Sequence, residues 1–200
     1  YVPDSLLGLL SLESSVGALE MSMEYCLSRQ YYSAVLSADA INLRSVFPLQ
    51  SIGVVSLQAE IDGVGWDFME PIASLDCLLW IDSLVWNGYT FYNGRFMISL
   101  YDGDLFVEGV CADTLVDFRL RTFVNYSPYH VKGEIYADVV NVDMQALGLS
   151  DTMLHPSGQC TFSFKADTSG VYMLHGGCYD LFLVTSQQTI HPHPLDISIW

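Results

Sequence analysis

The chain reads as an all-β protein, an antiparallel sheet built from strand-rich repeats. Three observations predict it: apolar residues recur with period two, Asn-Gly and Asp-Gly pairs punctuate them, and one strand-rich pattern occurs twice. A period of two marks a strand with one dry and one wet face, whereas a helix repeats its apolar residues about every 3.6 positions.

In 19–27 the odd positions Leu19, Met21, Met23, Tyr25 and Leu27 are apolar, with Glu20, Ser22 and Glu24 between them. In 116–124, Val116, Phe118, Leu120 and Val124 alternate with Asp117, Arg119 and Arg121. The same holds in 131–138 (Val131, Ile135, Ala137 against Lys132, Glu134, Asp138) and in 161–167 (Phe162, Phe164, Ala166 against Thr161, Lys165, Asp167). Asn87-Gly88, Asn93-Gly94 and Asp102-Gly103 tolerate the positive φ of tight hairpin turns, which makes 89–112 a β-meander. Helical signals are confined to about one turn at 41–47 and one at 142–149, each shortly after an Asp.

The repetition is ordered along the chain. Ala38-Asp39-Ala40-Ile41-Asn42-Leu43 recurs as Ala137-Asp138-Val139-Val140-Asn141-Val142, each after an alternating strand, a Tyr-bearing loop and a second strand. Each copy continues through a short apolar turn (Val46-Phe47, Ala146-Leu147) and a Gly (Gly53, Gly158) into another strand. The predicted division is a connecting segment at 1–17, a first repeat at 18–115 and a second, truncated one at 116–200.

Charge excludes one class of partner. Lys and Arg total 7 against 23 Asp and Glu, a net charge of -16, so the phosphate neutralisation that supplies most nucleic-acid affinity is missing. No apolar run reaches the ~20 residues that a membrane-spanning helix needs. The chain starts without Met or a leader, and its last residues, LDISIW, read as a strand, so it is expected to be a piece of a longer protein. Cys26, Cys77, Cys111, Cys160 and Cys178 show no CxxC spacing. They read as small buried hydrophobes, with any pairing left open.

No GxSxG, HExxH or P-loop occurs. Gly63-Val64-Gly65-Trp66 lacks the third glycine of a dinucleotide loop and reads as a turn. His155, Cys160, His175 and Cys178 lack the spacing of a structural zinc site, and hairpin geometry accounts for Asp102-Gly103-Asp104 without calcium. His191-Pro192-His193-Pro194 reads as an extended linker. The expectation is a non-catalytic protein with no cofactor and no metal.

The segment ADVVNVDMQALGLSD (137–151), its preceding strand and the following PSGQCTFSFKAD resemble the AsmA/TamB-like envelope proteins of Gram-negative bacteria. The stretch 81–120, strand after strand with an Asp-Gly hairpin, is similar to their body, and the likeness covers most of 18–184. The resemblance implies a curved, elongated sheet, like a β-taco or gutter with an apolar concave face, anchored in the inner membrane and crossing the periplasm. Its apolar face would carry lipid acyl chains or shield outer-membrane protein segments. It implies no catalytic residue, and contact with the outer-membrane assembly machinery would belong to other parts of the chain.

A dry face must be covered, because burying one large apolar side chain is worth roughly 1.5–3 kcal/mol. The cover is either a second sheet or lipid. Met21, Met23, Phe96, Ile98, Leu100, Phe118, Leu120, Phe162 and Phe164 are the candidate floor for acyl chains, since flexible and aromatic side chains adapt to sliding tails. The alternative is a closed β-sandwich that binds carbohydrate, with Trp86, Tyr89 and Tyr92 stacking on sugar faces.

Overall fold

The structure is a computed structural model that describes residues 4–46, 52–67, 70, 72–127, 129–167 and 172–199. Among the described residues thirteen strands and one short helix follow in order: β1 Ser5–Ser14, β2 Gly17–Cys26, β3 Tyr31–Asn42, α1 Leu43–Val46, β4 Ile52–Val64, β5 Ser74–Trp86, β6 Tyr89–Tyr101, β7 Asp104–Ala112, β8 Val116–Ser127, β9 His130–Val142, β10 Leu154–Asp167, β11 Tyr172–Thr185, β12 Thr189–Ile190 and β13 Leu195–Ile199. Hydrogen-bonded neighbours follow chain order from β1 to β12, with β13 also on β11. The strands are antiparallel and ordered as in the chain, and among the described residues β1 has no pairing that would close the sheet on itself. The chain divides into two units, Tyr1–Asp102 and Gly103–Trp200. The repeat boundary expected at 115/116 falls inside the second, between β7 and β8.

Both repeat copies fold as strand, strand, short turn, strand. In the first, Ala38 of β3 lies between Leu19 of β2 and Leu57 of β4. In the second, Ala137 of β9 lies between Leu120 of β8 and Cys160 of β10. Each Ala-Asp is followed by a register shift, between Ala38 and Ile41 in one copy and opposite Asp117/Phe118 in the other. In the first copy Ala40 takes φ 51°. The Ser56 hydroxyl holds that bulge, accepting the Ala40 N–H at 3.0 Å and donating to Asp39 at 3.3 Å. The helical turns come where expected: α1 covers 43–46, and Asp143 caps a turn by accepting the Ala146 N–H on its carboxylate and the Leu147 N–H on its carbonyl. Phe47 lies outside the described residues.

Two turn assignments hold and one is corrected. Asn87-Gly88 and Asp102-Gly103 have positive φ at both residues, as two-residue hairpin turns require. Asn93-Gly94 is no turn: β6 runs through it from 89 to 101, so 89–112 holds two long strands rather than a meander of shorter ones. Gly94 serves close packing there, since a Cβ on it would stand 3.2 Å from that of Ile81. Residues 5–14 within the expected connecting segment form strand β1, paired with β2 over ten residues.

Candidate functional site

Residues directly opposite across antiparallel strands share a face, so the registers alone assign the faces of each unit. In the first unit one face carries four rows across β1 to β6. They read Leu12, Leu19, Ala38, Leu57, Ile81, Gly94; then Leu10, Met21, Leu36, Ala59, Leu79, Phe96; then Gly8, Met23, Ala34, Ile61, Cys77, Ile98; and Leu6, Tyr25, Tyr32, Gly63, Leu75, Leu100. Apart from the phenolic oxygens of Tyr25 and Tyr32, no side chain in these rows carries nitrogen or oxygen. The other face holds Glu20, Glu24, Glu60, Asp62, Asp76 and Arg95, with Leu78 and Met97 among them.

The second unit repeats the pattern across β7, β8, β9, β10, β11 and β13. Its rows are Gly109, Leu120, Ala137, Cys160, Cys178, Leu195; Val107, Thr122, Ile135, Phe162, Gly176, Ile197; and Leu105, Val124, Gly133, Phe164, Leu174, Ile199. A shorter row joins Cys111, Phe118 and Val139. Thr122 is the polar exception in these rows.

These faces are not closed over. No hydrophobic side chain among the described residues is completely buried, and the core consists of small or marginal members such as Ala38, Ala59 and Val55. The rows are half-buried by their own neighbours. Each large side chain in them still has on the order of 1 kcal/mol to gain from a further cover.

All nine candidate floor residues fall on these rows: Met21, Met23, Phe96, Ile98 and Leu100 in the first unit, and Phe118, Leu120, Phe162 and Phe164 in the second. The three aromatic residues proposed for sugar stacking do not share a face. Trp86 stands opposite Tyr89, both within 6.0 Å of the Phe91 ring, whereas Tyr92 is three residues beyond Tyr89 on the same strand and points the other way. Trp66 belongs to neither group and stacks on Tyr32 at 4.3 Å. A turn residue's reach back over β3 leaves no periodic trace in the sequence.

The cysteines split by environment. Cys160 and Cys178 face each other across β10 and β11 and are joined by a disulfide, which corrects their reading as ordinary buried hydrophobes. Cys77 and Cys111 lie on the apolar faces, where burial pushes both thiols up. Cys26 sits across from Ser5 and Tyr31 on the polar face. His155 stands 3.1 Å from Asn141 and His175 2.9 Å from Ser198. Among the described residues no three metal-competent side chains converge, and no helix is long and apolar enough to cross a membrane.

The chain matches no protein-family model, no curated protein and no solved structure.

Proposed function

We propose that this chain is a non-catalytic segment of a periplasm-spanning, AsmA/TamB-like envelope protein that shields or conducts lipid acyl chains along its apolar β face. The observation that carries the reading is the continuity of the rows: four rows across six strands with almost no polar atom. Such a floor suits a ligand without polar demands. An acyl chain gains about 0.8 kcal/mol per buried CH₂ and needs no specific contact along its length. A polypeptide cargo would bring backbone N–H and C=O groups that these rows cannot satisfy. The Cys160–Cys178 disulfide supports an oxidising compartment such as the periplasm. Contacts with outer-membrane assembly machinery belong to other parts of the parent protein in this reading.

The test is mass spectrometry of lipid extracted from the purified protein, together with transfer between vesicles. Co-purifying phospholipid is expected, with transfer lost in Phe118→Asp and Phe162→Asp while the β-sheet circular dichroism stays unchanged. Absence of both lipid and transfer overturns the reading.

A further inference from the structure

The two lysines of this sequence, Lys132 and Lys165, stand directly opposite each other on β9 and β10. Like charges in that position disfavour the sheet. The chain has 23 Asp and Glu residues with which to neutralise them, yet among the described residues neither lysine has a carboxylate within ion-pair distance. Both lie on the face opposite the apolar rows, because Gly133 and Phe164, their neighbours along the two strands, belong to those rows.

The lysines border an open depression of about 340 Å³ within the second unit, underlain by Gly133 and Phe164. On its far side Glu134 stands opposite Ser163, and Phe123 and Met173 flank it. The Ser163 hydroxyl donates to the His175 carbonyl at 3.2 Å, which leaves its oxygen as an acceptor. His175 also lines the depression, with its Nδ1 2.9 Å from the Ser198 hydroxyl. Two cations thus face two acceptors, one of them charged. The next row beyond the lysines, Asp167 opposite His130, lies outside the depression.

We propose that this depression holds a small phosphate monoester that carries an amine, with the phosphate between Lys132 and Lys165 and the ammonium against Glu134 and the Ser163 oxygen. A phosphate monoester brings close to two negative charges, which match the lysine pair and remove its repulsion, whereas a carboxylate would match only one of them. The volume lies at the small end of ligand pockets, roughly 300–1,000 Å³. The remaining acidic residues repel the ligand weakly, since exposed charges are screened beyond a Debye length of about 8 Å at physiological ionic strength. The ester is a soluble one rather than a phospholipid headgroup, because acyl chains would have to reach the apolar rows on the other side of the sheet. The site does not depend on what covers those rows.

Reductive methylation with carbon-13 formaldehyde keeps the charge of each lysine and gives two lysine signals by NMR, which Lys132→Arg and Lys165→Arg assign. The probe is O-phosphoethanolamine. It should move both signals together and saturably, ethyl phosphate should bind several-fold more weakly, and ethanolamine should move neither signal. Glu134→Gln should abolish the difference between the two phosphates. Lys132→Ala should weaken O-phosphoethanolamine binding by about tenfold or more, with circular dichroism unchanged. Lysine signals that do not move, or that respond equally to O-phosphoethanolamine and ethyl phosphate in the wild type, would overturn the site. Flotation with phosphatidylethanolamine vesicles should be the same for wild type and Lys132→Ala, and flotation lost in the variant would overturn the assignment to a soluble ester.

Discussion

The ring of Tyr32 lies over Gly63, its direct partner across β3 and β4, so closely that a Cβ on Gly63 would collide with the phenolic oxygen. Two more pairs repeat the arrangement: a Cβ on Gly133 would stand 2.6 Å from Phe164, and one on Gly176 2.6 Å from Phe162. In each, an aromatic ring covers the backbone of a glycine on the next strand, which keeps the ring low on the sheet and the row continuous.

Gly63→Ala should therefore lift Tyr32 off the sheet, lengthen its 3.5 Å hydrogen bond to the Ser74 carbonyl and unseat Trp66 from its face. Overpacking of this kind costs typically 1–3 kcal/mol. Urea denaturation should show that loss, with tryptophan fluorescence shifted to the red before unfolding.

The Cys160–Cys178 disulfide closes a loop over a sequence separation of 18 residues, and chain-entropy arguments assign such a crosslink about 3 kcal/mol. Alkylation under denaturing, non-reducing conditions should label Cys26, Cys77 and Cys111 and leave the other two unmodified. Cys160→Ser with Cys178→Ser should lower stability by roughly that amount. Five labelled thiols in protein purified without reductant would contradict the pairing.

Asp62 and Asp76 stand directly opposite each other on β4 and β5, a like-charge pair that disfavours the sheet. Tyr31 donates to Asp62, and Tyr101 and Ser99 donate to Asp76. Those hydrogen bonds raise the ionisation of both phenols above its ordinary value. A raised folded-state pKa gives stability that is present below the unfolded value, about 10, and is lost as pH rises through the folded one. Wild type should melt above Tyr101→Phe at neutral pH, and the gap should close above about pH 10. A gap that widens with pH would contradict this assignment.

Cys77 sits in the apolar floor between Ile61 and Ile98, and Cys26 lies on the polar face. Long-chain phospholipid should slow maleimide labelling of Cys77 several-fold and leave Cys26 unaffected. Equal protection of both would mean that the lipid does not distinguish the faces.

Much of this fold was legible because a strand with one wet face writes its period into the sequence. Met21 and Met23, or Phe162 and Phe164, sit two apart with polar residues between them, and the structure puts all four on the apolar rows. What escaped has physical reasons. In β1, Leu6-Leu7 and Leu9-Leu10 put leucines on both faces, so alternation is absent from that strand. Asn93-Gly94 carries the chemistry of a hairpin turn, yet Gly94 is there to fit beneath Ile81. The Cys160–Cys178 bridge depends on the β10–β11 register, which no spacing motif encodes.

The most direct measurement is photo-crosslinking with a phospholipid that carries a diazirine at the acyl terminus, mapped by peptide mass spectrometry. Adducts are predicted on the rows that contain Met21, Phe96, Ile98, Phe118 and Phe162. Adducts spread equally over Glu20, Trp80 and Arg95 on the opposite face, or none at all, would contradict the acyl-chain floor.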